Sequence, residues 1–236
     1  MIFLDIETLN LPMKELVKYK RYLPQFDKIN DLLAKEAPDA DKLRDLTEDM
    51  IKTASLDPLL GRVLCIGICY SRDKKTVVEK CFYDSDNEKA LLESFWNYIG
   101  QEQLPCETVT FNGISFDLPW IYFRSFVHQI PIPWADLSLK RFGTWPHFDV
   151  MQSLAFWQSY KGKGQSYVAM ALGCAEDNQK EALNGSHVHK LYAAGEHQKI
   201  QDYCMSDVKQ LIEIYKKVYK YFPKPPRARG IDQGAY

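Results

Sequence analysis

The sequence predicts an α/β fold in which a mixed central sheet of about five strands is flanked by helices. Apolar runs rich in β-forming residues dominate the first part of the chain, and helical patterns alternate with short strands later. The 236 residues, 46 % of them hydrophobic, are enough for one sizeable core. Because no linker divides the chain into halves, we expect a single domain over 1–222.

The first three strands are predicted from apolar runs. Residues 2–6 form a short buried run that is interrupted by Asp5. Residues 61–70 (GRVLCIGICY) and 76–83 (TVVEKCFY) are joined by a polar, turn-like segment. These two runs are therefore predicted to pair as an antiparallel hairpin.

The later part of the chain alternates helices with short strands. A helix is predicted to begin within the polar segment 85–88 and to end at Gly100. Strands are predicted over 107–111 and 147–150. Further helices are predicted over 118–127, 151–160, 166–172 and 198–221.

Two regions stand apart from this core. Residues 10–60 are long and charged, with helical spacing over 39–51. A structureless loop of that length is unusual inside a domain, so we expect a mostly helical insertion there. The segment 223–236 (PKPPRARGIDQGAY) is proline-rich and partly basic, and we expect it to be a mobile tail.

Composition excludes some classes of protein. A net charge of −1 argues against a protein that coats nucleic acid, but not against an enzyme that holds one strand end. None of the six cysteines forms a C-x-x-C pair, which indicates reduced cysteines in a cytosolic protein. With no signal peptide and no apolar run of membrane-spanning length, we expect a cytoplasmic protein without membrane contact.

The first chemically informative motif is Asp5-Ile6-Glu7. Residues i and i+2 of a strand project from the same face, so the two carboxylates are predicted to lie side by side. Such a pair next to buried residues is costly unless a cation neutralises it, and Mg²⁺ and Mn²⁺ prefer carboxylate oxygens. Alone, the motif is weak and fits a strand end that emerges into solvent better than a metal site.

Two further motifs follow later in the chain. Phe111-Asn112-Gly113-Ile114-Ser115-Phe116-Asp117 places Asp117 after a strand and a turn, at the beginning of a helix. Tyr203 and Asp207 are four residues apart on the last helix and share one face. Alone, each aspartate also fits an ordinary helix cap or a surface position.

The chain carries three motifs in a fixed order: D-x-E, N-G-x-x-F-D and Y-x-x-x-D. Together they resemble the signature of the DEDD 3′→5′ exonucleases, which have a ribonuclease H-like fold. The chain is most similar to the branch related to the proofreading exonuclease domain of family B DNA polymerases. The similarity continues from Asp117-Leu118-Pro119 to Arg124, in His147-Phe148-Asp149 and in Tyr203-Cys204-x-x-Asp207-Val208. We expect Asp149 to be structural rather than catalytic.

The resemblance implies a catalytic set of five residues: Asp5, Glu7, Asp117, Tyr203 and Asp207. The four carboxylates would bind two divalent metal ions, Mg²⁺ or Mn²⁺. Asp5 would bridge both ions, Glu7 and Asp207 would serve the ion that activates water, and Asp117 would act through the outer shell of the other. Tyr203 would orient the attacking water. The sister class has histidine five residues before the last aspartate, where this chain has Asp202, so the resemblance implies the tyrosine class.

The chain is therefore predicted to be a metal-dependent 3′→5′ exonuclease that releases nucleoside 5′-monophosphates by a two-metal-ion mechanism. We expect it to act on the 3′ end of single-stranded DNA or RNA more readily than on intact duplex. Predicted substrate-binding residues are Thr8, Leu9, Asn112 and Phe116, with Leu9 packing on a base. The alternatives are a catalytically weak module that binds nucleic acid ends and a phosphodiesterase for short oligonucleotides. The sequence does not distinguish DNA from RNA, nor specify protein partners.

Overall fold

The computed structural model describes residues 1–72, 76–158, 164–174 and 187–222. In these residues a five-stranded sheet has the order β3-β2-β1-β4-β5. The strands are β1 (Ile2–Asn10), β2 (Gly61–Ser71), β3 (Val77–Tyr83), β4 (Thr108–Thr110) and β5 (His147–Asp149). β2 pairs antiparallel with both β1 and β3, whereas β4 pairs parallel with both β1 and β5. The predicted mixed sheet, with its β2–β3 hairpin, is confirmed.

Helices lie between and after the strands, and two of the longer helices have side-chain caps at their N-termini. They are α1 (Met13–Leu16), α2 (Gln25–Leu33), α3 (Ala40–Ser55), α4 (Glu88–Gln101), α5 (Asp117–Val127), α6 (Val150–Leu154), α7 (Gln165–Ala171), α8 (Val188–Ala193) and α9 (His197–Tyr221), with a 3-10 helix at Val17–Tyr22. The side chains of Asp39 and Asn87 accept the first free amides of α3 and α4.

The alternation of side chains along β1 assigns the two faces of the sheet. Ile2, Leu4 and Ile6 belong to a core that includes buried residues of α4 and α5. On the opposite face Phe3 contacts Tyr215 of α9, at 5.2 Å between ring centroids, and Leu9 packs in a cluster with other α9 residues. Asp5 and Glu7 therefore lie on the α9 face, between two apolar residues.

A buried ion pair holds α4 against α5. The Glu88 carboxylate accepts hydrogen bonds from Nη2 of Arg124 at 2.6 Å and from the backbone amide of Val63 at 2.7 Å. The Nε2 atom of His128 lies 2.7 Å from the same carboxylate. The Arg124 guanidinium also donates to the carbonyl of Pro58 at 3.2 Å, which connects the pair to the residues just before β2.

The helices α1 to α3 occupy the chain between β1 and β2. Residues of α1, α3 and the connecting segments form a small apolar cluster, and α2 packs against it through Phe26 and Ile29; its buried residues are Leu11, Leu16, Leu23, Met50, Ala54 and Leu60. β1 extends to Asn10 rather than ending at residue 6, because Leu9 and Asn10 pair with Arg62 and Gly61. The helical segment therefore begins after Asn10, the last residue of β1. That 10–60 is an insertion into a single domain stays a prediction.

Other predictions differ from the structure in detail. α6 ends at Leu154 instead of 160, because the amides of Phe156 and Trp157 donate to Ser153 and Gln152 and close the helix. Helix α8 was not predicted. The proposed mobile tail, 223–236, lies outside the described residues, as do 159–160. In the described part of the chain, no helix combines the length and the apolar character needed to cross a membrane.

Candidate functional site

Two carboxylates of β1 and one of α9, distant in sequence from them, meet on the α9 face of the sheet. One oxygen from each of Asp5, Glu7 and Asp207 lies within 4.8 Å of the others. Glu7 is buried, and the other two are partly exposed. β1 shifts its pairing register between Glu7 and Thr8, an irregularity of the kind that strands often have beside active sites.

The contact between β2 and α9 brings Asp207 to β1. Gly67 of β2 lies opposite Asp5, and a Cβ atom there would be 2.9 Å from Sγ of Cys204 and 3.1 Å from Cγ2 of Val208. Only glycine lets the helix lie this close to the strand. The Cys204 thiol donates to the backbone carbonyl of Asp5 at 3.6 Å, which adds a second contact. Sequence reasoning missed Gly67, although an interior glycine in an apolar strand signals such an approach.

Tyr203 lies one helical turn before Asp207, on the same side of α9. Its phenol hydrogen-bonds to the Asp207 carboxylate. Burial is the main cause that raises the pKa of Tyr203, and the negative charges of Asp207 and Glu7 add to it. Tyr203 is therefore a neutral phenol at physiological pH, able to donate or accept a hydrogen bond but poorly suited to remove a proton.

Asp117 lies beside β1 at the beginning of α5. Burial is the main cause that raises the pKa of its carboxyl to about 7, and the charge of Asp149 contributes. Hydrogen bonds from the backbone amides of Asp117 itself and Ile6 oppose that shift. In the part of the chain described, the group of close carboxylates consists of Asp5, Glu7 and Asp207. Of the four predicted ligands the structure therefore brings three together, with the fourth packed against the adjoining strand.

The loop before Asp117 is held by Asp149. The Asp149 carboxylate accepts from the backbone amides of Asn112 and Ile114 at 3.1 and 3.0 Å. Gly113 donates its amide to Oγ1 of Thr110 at 2.9 Å, and a Cβ atom at Gly113 would overlap the threonine side chain. Asp149 thus has the structural role that the sequence predicted.

The four predicted substrate-binding residues occupy different environments. The Thr8 hydroxyl donates to the carbonyl of Ser55 at 2.7 Å, and so links β1 to α3. Leu9 is only 5 % exposed, because two residues after Glu7 it points towards the helices on that face and packs among them. Its packing on a base stays a prediction. Asn112 and Phe116 are partly exposed in the loop before Asp117.

Comparisons with known proteins agree with this fold. Among solved structures, the chain is similar to the family B DNA polymerase from the hyperthermophilic archaeon Pyrobaculum calidifontis, with a TM-score of 0.56 and 14 % identity over 92 % of this chain. The chain spans 24 % of the length of that polymerase. This likeness shows the fold alone, and it confirms the predicted ribonuclease H-like α/β fold. No curated protein sequence matches the chain.

Residues 55–222 match a family described as a predicted 3′-5′ exonuclease related to the exonuclease domain of PolB. Asp117, Tyr203 and Asp207 lie inside this range, whereas Asp5 and Glu7 precede it. The geometry supplies the link between the two parts, because the oxygens of Asp5 and Glu7 lie beside that of Asp207. The match covers well over half of the sequence, and the chain belongs to this family of predicted 3′-5′ exonucleases related to the exonuclease domain of PolB.

Proposed function

We propose that the protein is a metal-dependent 3′→5′ exonuclease that releases nucleoside 5′-monophosphates from the 3′ end of a nucleic acid strand. The observation that carries the proposal is the approach of Asp5, Glu7 and Asp207 to within 4.8 Å of one another. Carboxylates this close repel each other, and a bound divalent cation would remove that cost. Membership of the exonuclease family supplies the class of reaction.

The donor set fits two Mg²⁺ or Mn²⁺ ions, because every proposed ligand is a carboxylate. Asp5, Glu7 and Asp207 would hold the metal directly. Asp117 would act through the outer shell, a role supported by its position outside the three-residue group. Divalent ions bound there would supply a water of lowered pKa and neutralise charge on the departing oxygen.

We assign Tyr203 to the orientation of the attacking water. Its hydrogen bond to Asp207 directs the phenol towards the carboxylates, and its raised pKa keeps the proton on the oxygen. Tyr203 would therefore hold the water by a hydrogen bond, without acting as the base. These features support the tyrosine class of the superfamily.

We also propose a preference for unpaired strands, DNA or RNA. The helical segment 10–60 follows β1 shortly after Glu7, where it would limit which strands reach the carboxylates. A protein from which this segment is deleted should then accept a wider set of substrates, and an unchanged substrate profile would count against this role.

A cytosolic location is consistent with the six cysteines, all of them free.

The test of the exonuclease activity uses 5′-labelled single- and double-stranded DNA and RNA with Mg²⁺ or Mn²⁺. We expect a ladder that shortens from the 3′ end, and Asp207→Asn should lower turnover on the order of 10²-fold or more. Asp202→Asn is the matched control. Asp202 is an exposed aspartate of the same helix whose carboxylate accepts from Nε2 of Gln198 at 2.9 Å, so its loss should leave activity unchanged.

Full activity in excess EDTA, or in Asp207→Asn, would refute the proposal. Tight binding of strand ends without any shortening would favour a non-catalytic binding module. Cleavage confined to short oligonucleotides would favour a phosphodiesterase for such substrates.

A further inference from the structure

An exposed aromatic patch lies on the two segments that precede and follow β5. We define the patch as Phe142, Trp145, Phe156 and Trp157. Phe142 and Phe156 are 69 % and 74 % exposed, and Trp145 is exposed as well. The rings of Phe142 and Trp157 are 5.8 Å apart between centroids, so the two segments form one surface. Three of the four rings are thus exposed, and the contact between Phe142 and the partly exposed Trp157 joins the two segments.

Basic side chains accompany these rings. Nζ of Lys140 lies 5.9 Å from the ring centroid of Trp145, and Cζ of Arg141 lies 5.3 Å from that of Phe142. The sequence has no Asp or Glu between 137 and 148 or between 150 and 158. The two segments therefore carry Lys140 and Arg141 and no acidic residue within those ranges. Rings interleaved with cations are complementary to bases joined by phosphates.

The backbone of the patch is unusual for such bulky residues. Phe142, Phe156 and Trp157 have φ angles of 67°, 50° and 59°, in the left-handed region that favours glycine. Phe156 occupies the first position after the cap of α6, where helix ends commonly have glycine. α7 and α8 have Gly173 and Gly195 at the equivalent position. An exposed phenylalanine gains no burial that offsets this strain, so folding alone does not account for it.

The patch is connected to the candidate site through α6. Asp149 caps this helix by accepting the amide of Gln152 at 3.0 Å, and the same carboxylate holds the loop before Asp117. Phe156 follows Asp149 by seven residues, which corresponds to about two helical turns or about 10 Å. At ~3.4 Å per nucleotide, a stacked strand covers such a distance with only a few nucleotides.

We infer that the aromatic patch, with Lys140 and Arg141, is a docking surface for the unpaired upstream part of the strand whose 3′ end lies in the candidate site. The inference rests on the proposed function. The rings stack on successive bases, and the two cations contact the backbone phosphates. Stacking of this kind is indifferent to base identity, which suits an enzyme that removes one nucleotide after another.

The test measures binding of single-stranded DNA to protein carrying Asp207→Asn, so that no strand is shortened. One probe is unmodified, and the other has abasic sites in place of all bases upstream of the last two nucleotides. Phe142→Gly with Phe156→Gly should lower the affinity for the unmodified probe on the order of 10-fold or more. The affinity for the abasic probe should not change, because its phosphates are intact.

Two controls separate binding from folding. Glycine suits the left-handed backbone at both positions, so the double variant should unfold at no lower temperature than its parent. Phe126→Ala removes a ring of similar exposure, 62 %, near the far end of α5 from Asp117, and should change neither affinity.

Unchanged affinity for the unmodified probe would overturn the inference, as would equal losses for both probes. Self-association that disappears in the double variant would also overturn it, because the patch would then be a contact between two copies. Activity of the wild-type protein is measured separately. If the double variant loses affinity for the unmodified probe but the wild-type protein does not cleave, the proposed function alone is refuted. If the wild-type protein cleaves but the double variant keeps its affinity for the unmodified probe, this inference alone is refuted.

Discussion

Two acidic groups lie on opposite faces of the sheet and differ in what surrounds them. On the α4–α5 face, the Glu88 carboxylate is enclosed by donors, including Arg124 at 2.6 Å and the amide of Val63 at 2.7 Å. On the α9 face, Asp5, Glu7 and Asp207 bring three groups of the same charge within 4.8 Å. The first arrangement satisfies a buried charge from within the protein. The second brings like charges together, and the divalent cations of the proposed function would neutralise them.

The largest expected effect is the loss of the internal pair. Glu88→Ala leaves the buried Arg124 guanidinium without its carboxylate and should lower the free energy of unfolding by about 3–5 kcal/mol. Glu93→Ala is the control on the same helix, because Glu93 pairs with Lys89 across an exposed 3.8 Å contact. That change should cost less than about 1 kcal/mol. Urea unfolding measures both, and equal losses would mean that Glu88 is no more important than a surface acid.

The carboxylates of the candidate site should behave in the opposite way. In EDTA, Asp5→Asn removes one of three like charges and should leave the free energy of unfolding unchanged or raise it slightly. At a Mn²⁺ concentration about 100 times the dissociation constant, the wild-type protein should gain about 2.7 kcal/mol, and Asp5→Asn should lose this gain. Thermal unfolding with and without Mn²⁺ measures the difference. A large loss of stability for Asp5→Asn in EDTA would show that Asp5 serves the fold as Glu88 does.

A smaller effect is expected where the site depends on close packing. Gly67→Ala inserts a Cβ atom 2.9 Å from Sγ of Cys204 and should lower the free energy of unfolding by about 1–3 kcal/mol. It should also reduce exonuclease activity, because α9 carries Asp207. Gly100→Ala meets nothing within 4 Å and is the matched control, expected to be neutral or slightly stabilising. Activity and urea unfolding are the measurements. A Gly67→Ala protein with full activity would show that the distance between β2 and α9 does not limit the site.

Prediction succeeded where a pattern is local. The run at residues 61–70 and the polar turn after it predicted the β2–β3 hairpin, and helical spacing predicted α4, α5 and α9. It was less accurate at the ends of elements, where pairing with another strand or a turn of the backbone decides. β1 extends to Asn10 because β2 pairs with it, and α6 stops at Leu154 because the next amides close the helix. The short α8 was missed, since one and a half turns give little periodicity to detect.

The same division holds within the candidate site. Spacing alone placed Asp5 and Glu7 on one face of a strand, and Tyr203 and Asp207 on one face of a helix. It did not reveal that Leu9, on the same face of β1, is buried under the helices. Nor did it show that Asp117 is buried beside the backbone of Ile6, outside the group of three carboxylates.

The sequence by itself therefore determined the five strands and most of the longer helices along the chain, and the pairs of side chains that share a face. Both follow from the fixed repeats of strands and helices, which act over a few residues. Only the tertiary structure brought Asp207 next to Asp5 and Glu7, some 200 residues earlier, and assembled the aromatic patch from two segments on either side of β5. These arrangements depend on strand register and on the packing of α9 against Gly67, which no local repeat specifies.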